Sequence, residues 1–99
     1  KQIAVIDESG IVMPKFEDTQ AIDYIDCTGQ PLDSLKNQLD VLGYDALVQI
    51  SALDPLTKSV NVTAYSSSPM SVDTKEAISS RVDDAIEDYR LSLYDIGES

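Results

Sequence analysis

Q-I-A-V-I-D (Gln2–Asp7), E-S-G (residues 8–10) and I-V-M-P-K-F (residues 11–16) form the stretch on which the fold turns. A polar, glycine-containing break of three residues between two apolar runs predicts a β-hairpin. Pro14 has no N–H to give to a ladder, so the second strand is expected to be short or at an edge. A third extended run, A-I-D-Y-I-D-C over residues 21–27, ends at the breaker Thr28-Gly29-Gln30-Pro31.

Beyond that breaker the period changes. Pro31 suits the first turn of a helix, and Leu32, Leu35, Leu39 and Leu42 follow at helical spacing. Gly43 is placed to end this helix in a left-handed cap. Residues 46–53 (A-L-V-Q-I-S-A-L) read as a strand, Asp54-Pro55-Leu56-Thr57-Lys58 as a turn, and residues 60–65 (V-N-V-T-A-Y) as a second strand with Val60, Val62 and Ala64 on one face. Ser66-Ser67-Ser68-Pro69 connects to the last element. There Asp73 and Glu76 have the spacing of a capping box. The helix is expected to run to about Leu93, with Ile78, Val82, Ala85, Tyr89 and Leu93 as its apolar stripe. The whole predicts one α+β domain over residues 1–99, in the order β-β-β-α-β-β-α. An antiparallel sheet would carry both helices, expected on one face.

Charge is the strongest compositional signal. Eighteen Asp and Glu stand against seven Lys and Arg with no histidine, a net charge of −11 in 99 residues, while 42% of residues are apolar. The apolar content supports a core, so the acidity does not indicate disorder. It points to solubility or to a basic partner, of which proteins that handle nucleic acids are the commonest kind. Direct contact with nucleic acid is not expected, because two polyanions repel. No apolar run reaches the roughly 20 residues that span a bilayer. No basic-then-apolar leader opens the stretch, and a single cysteine forms no internal disulfide, so a cytoplasmic protein is the expectation.

Little in the chain suggests catalysis. General acid–base chemistry most often uses histidine, which is missing. Cys27 would lack a histidine base and reads as a small core residue. There is no calcium-loop pattern and no phosphate-binding glycine loop, since the four glycines stand alone at turns. The expectation is therefore a non-enzyme without cofactor or metal. The acids themselves are the candidate site. Asp83 and Glu87, one helical turn apart, rise about 6 Å along the axis, a spacing of the order found between nucleic-acid backbone charges. Asp73, Glu76, Asp84, Asp88 and Asp95 widen them into a band on the last helix. A solvated helix face tuned for solubility accounts for the same charges.

Two resemblances bear on the partner. The segment Val5-Ile6-Asp7-Glu8-Ser9-Gly10-Ile11-Val12-Met13-Pro14 resembles the V-I-x-E-S, apolar, Pro stretch of the phage uracil-DNA glycosylase inhibitors, and the two strands at 45–48 and 60–65 look like their central hairpin. That resemblance implies a DNA mimic in which Glu8 stands for a phosphate. Residues 60–95 are similar to the end of the small acidic damage-inducible regulators of recombinase filaments, whose last helix competes with single-stranded DNA. Both imply an acidic inhibitor, phage- or mobile-element-encoded, of a host nucleic-acid enzyme such as a DNA glycosylase, CRISPR effector, restriction or recombination protein. The expected partner-binding residues are Glu8, Asp73, Glu76, Asp83, Asp84, Glu87 and Asp88. The alternatives are an immunity or antitoxin protein covering a basic nuclease toxin, and a non-inhibitory acidic adaptor domain.

Overall fold

The computed structural model describes residues 1–66 and 69–98, for 94–98 the helical backbone alone. Its elements are β1 (Gln2–Asp7), a 3-10 turn (Met13–Lys15), β2 (Asp23–Asp26), α1 (Leu32–Asn37), α2 (Leu39–Leu42), β3 (Ala46–Ile50), β4 (Val62–Tyr65) and α3 (Val72–Glu98). The four strands form one sheet in the order β2-β1-β3-β4. β1 lies parallel to both β2 and β3, with Ile3 opposite Tyr24 on one side and Ala46 on the other. Only β3 and β4 are antiparallel, with Val48 opposite Ala64. The α+β domain therefore has a mixed sheet, not the antiparallel one expected from sequence.

The expected N-terminal hairpin does not form. Residues 8–12 leave β1 as a loop, and Met13–Lys15, placed in a strand by the sequence reading, makes a 3-10 turn with Pro14 in its first positions. The chain thereby crosses one face of the sheet before entering β2. It then crosses the opposite face through α1 and α2 to reach β3. Two crossovers that run in opposite directions on opposite faces share one hand, as the rule for parallel connections requires.

The helices consequently lie on both faces, which corrects the one-sided arrangement. Ile3, Val5, Val48 and Ile50 pack under Ile78, Val82 and Ala85 of α3, together with Val12 and Phe16 of the first crossover. Ala4, Ile6 and Leu47 pack on the other side with Cys27, Leu35 and Leu39. β1 and β3 are covered above and below, so apolar residues occupy nearly every position rather than every second one. The Phe16 and Tyr24 rings meet with centroids 4.8 Å apart and tie the first crossover to β2.

Smaller differences have local causes. The first helix is broken at Gln38 (φ −116°, ψ 15°) into α1 and α2. Gly43 ends α2 at φ 80°, in the left-handed conformation expected of it. The last helix is capped by Ser71 rather than Asp73: the Ser71 hydroxyl accepts the Thr74 N–H at 3.2 Å, and the Ser71 carbonyl accepts the Lys75 N–H at 3.1 Å. Asp73 instead sits in the first turn of the helix, where its charge suits the helix dipole. Part of the expected serine-rich connection, Ser67 and Ser68, lies outside the described residues.

Candidate functional site

Two kinds of acid emerge, and the sequence does not separate them. The first kind holds the backbone. Asp7 is buried at the end of β1, and one carboxylate oxygen accepts the N–H of Ser9 at 3.0 Å and of Gly10 at 3.3 Å, together with the Ser9 hydroxyl. The other oxygen accepts the N–H of Val12 at 3.0 Å and of Met13 at 2.7 Å. Converging N–H groups in the loop after a strand make an anion cradle; here the chain's own carboxylate fills it. Asp18 accepts the Tyr24 N–H at 2.7 Å, Asp45 the Gln2 N–H at 2.8 Å, and Asp54 the Leu56 N–H at 2.8 Å. Asp26 accepts hydrogen bonds from Thr28, which hold its carboxyl below the usual carboxylate range. At least these five aspartates serve the fold as acceptors for backbone N–H groups, in loops for Asp7, Asp26 and Asp54 and at strand residues for Asp18 and Asp45.

The second kind is the exposed set. Glu8, Asp73, Glu76, Asp83, Asp84, Glu87 and Asp88 are all exposed. The apolar stripe of α3 is turned inward, with Ile78, Val82 and Ala85 buried and Tyr89 and Leu93 half-buried. Asp88 forms an ion pair with Lys15 of the first crossover. This hydrogen bond, helped by the charges of Asp84 and Glu17, raises the Lys15 pKa against the opposing effect of burial. Asp83 and Glu87 border a groove of about 510 Å³ between α3 and Ser59-Val60. The candidate band is thus divided between an ion pair on one flank of the helix and a groove on the other. Glu8 lies outside it, in the loop after β1, where its N–H donates to the Ile50 carbonyl at 3.0 Å. It is not a hairpin tip. The side chain of Asp95 lies outside the described residues.

Cys27 is buried in the core, and its thiol donates toward the Tyr44 hydroxyl at 3.9 Å. That contact, with burial, raises the Tyr44 pKa. Among the described residues no three His, Cys, Asp or Glu side chains gather as a metal site. No helix among them is long and apolar enough to cross a membrane.

Sequence reasoning missed the surroundings of β4. Open grooves flank this strand on both faces of the sheet, and exposed Val62 lines one of them. The alternation of Val60, Val62 and Ala64 gave the strand's inward face. It did not show that the face is only half covered.

No family model matches the chain, and no curated protein matches its sequence. Among solved structures it is similar to a crystal structure from Porphyromonas gingivalis W83 described as "a putative ABC transporter domain". The two share 21% identity at a TM-score of 0.73, over 95% of this chain and 76% of the other. At that identity the likeness establishes a common fold.

Proposed function

We propose that this chain is a non-catalytic domain of an ABC-type transporter, one that presents surfaces for docking rather than a reaction centre. The observation that carries the reading is the likeness over nearly the whole chain to the Porphyromonas gingivalis domain. It is supported by the surroundings of the one cysteine and of the buried Asp7 carboxylate. Cys27 is enclosed in the core, and the Asp7 carboxylate is saturated by the N–H groups around it. The test is cross-linking in the native cell, with the protein tagged and its neighbours identified by mass spectrometry. Cross-links to an ATP-binding subunit or its membrane partner are expected. Cross-links confined to a nucleic-acid enzyme would replace this reading with the second one.

That second reading is an acidic inhibitor that offers carboxylates in place of phosphates. It is favoured by exposed Glu76, Asp83 and Glu87, which recur along about 16 Å of α3, on a chain of net charge −11. Under this reading, Asp83→Lys with Glu87→Lys weakens partner binding, salt does the same, and the partner's own nucleic acid competes. The transporter reading ranks first because a minimum of five of the eighteen acids already accept backbone N–H groups of the fold, which lessens the need for a mimicry explanation of the charge.

A further inference from the structure

Among the described residues, strand β4 has a neighbour on one side only, since it ends the sheet beside β3. Ser51 and Asn61 continue the ladder as a hydrogen-bonded pair: the Ser51 N–H donates to the Asn61 carbonyl at 2.9 Å, and the Asn61 N–H to the Ser51 hydroxyl at 2.9 Å. Hydrogen-bonded and open pairs alternate along an antiparallel ladder. With Gln49 opposite Thr63 and Leu47 opposite Tyr65, those pairs bond inward, and Val62 and Ala64 turn their N–H and C=O groups to the outer side. Such an edge is a template for another strand.

The helices leave room for one on both faces. On the α1–α2 face a groove of about 450 Å³ runs between Lys36, Asn37 and Leu39 and the strand residues Ala64 and Tyr65. On the α3 face a groove of about 240 Å³ lies between Val62, Ala64, Met70 and Ile78. Further along α3 is the groove bordered by Val60, Val82 and Ile86, with Asp83 and Glu87 at its edge. Ala64 borders grooves on both faces. The side chains of an added strand alternate between faces and would find space on each.

We propose that the outer edge of β4 docks an extended segment of a partner protein as a fifth strand. Its alternate residues facing α3 are apolar except for one lysine or arginine, which meets Asp83 and Glu87. Charge selects this occupant over a second copy of the chain, because two copies would each bring a net charge of −11 to the contact. Main-chain bonding supplies affinity in this mode of recognition and the pockets supply specificity. The proposal goes beyond the transporter reading and does not depend on it.

The probe is a capped peptide of about ten residues alternating threonine and valine, with lysine in place of one valine so that it too faces α3, compared with a control of the same composition whose valines are clustered. The alternating peptide should bind roughly tenfold tighter or better, a difference of about 1.4 kcal/mol. Amide exchange followed by NMR should slow at Val62 and Ala64. Ala64→Pro removes an outward N–H without touching the β3–β4 bonds and should abolish binding. A peptide N-methylated on the residues that face β4 should fail against the unaltered protein, which decides the matter should Ala64→Pro disturb the fold. Equal binding of the two peptides, protection away from Val62 and Ala64, or a concentration-dependent dimer burying this edge would overturn the proposal.

Discussion

The Asp7 carboxylate accepts the main-chain N–H of Met13 at 2.7 Å, and this bond closes the loop that turns the chain out of β1 and over the sheet. Because the same carboxylate also holds Ser9, Gly10 and Val12, one side chain sets the course of the whole first crossover. Asp7→Asn keeps the shape but turns an NH2 donor toward N–H donors. The expected loss is about 2–5 kcal/mol, since each buried donor left unpaired costs about 1–3 kcal/mol. Urea unfolding with an unchanged slope would measure it. A midpoint equal to that of the parent would show that the loop holds without the carboxylate.

The two-sided core gives a contrast within one short helix. Leu39 is buried against β1 and β3, while its neighbour Val41 is 86% exposed. Leu39→Ala should cost about 2–5 kcal/mol. Val41→Ala should stay within about 0.5 kcal/mol. Similar thermal midpoints for the two variants would mean that α2 is not seated as described.

Tyr44 reports on the Cys27 contact. The hydrogen bond with Cys27, and then burial, raises its pKa above the ordinary 10.0. A raised folded-state value contributes stability that is fully present below the unfolded value and is lost as pH rises through the folded one. Cys27→Ala should therefore move the Tyr44 titration back down toward 10.0, read from its ring carbon by NMR. A titration that does not move would show that the thiol is not the cause.

Lys15 behaves in the same sense through a different contact. Its pKa is raised above 10.5 chiefly by Asp88, so the ion pair holds at neutral pH and is lost in strong alkali, as pH rises through the raised value. Both partners are substantially exposed and screened. Lys15→Met should lower the melting temperature slightly at low salt and leave it unchanged at high salt. A large loss that ignores salt would mean that the side chain acts through packing.

Much of this architecture can be read from the chain, and the failures share a cause. The helical period places α3 correctly because it has one covered face and one solvated face, as with Ile78 and Val82 against Glu76 and Asp83, and the turn signal Asp54-Pro55 places the break between β3 and β4. The parallel part was missed where alternation vanishes. Ile3-Ala4-Val5-Ile6 and Ala46-Leu47-Val48 are continuous apolar runs, the pattern of strands covered on both sides. Asp7 followed by Ser9 and Gly10 is also the composition of a side-chain-closed turn, which competes with a hairpin on nearly the same letters. Of the candidate band, the exposure of Asp83 and Glu87 was legible. The pairing of Asp88 with Lys15, 73 residues away, was not, because only tertiary packing brings them together.

β1 sits in the middle of the sheet yet precedes both of its neighbours along the chain. During synthesis its I-A-V-I run emerges with two bare edges. One edge waits for β2 and the other for β3, whose Ala46, the partner of Ile3, lies 43 positions further along the chain. Pairings this distant form late. Until then the nascent strand is open to mispairing with other chains. For this molecule the hazardous interval is the time on the ribosome before β3 appears, and a variant that slows passage through α1 and α2 would lengthen it.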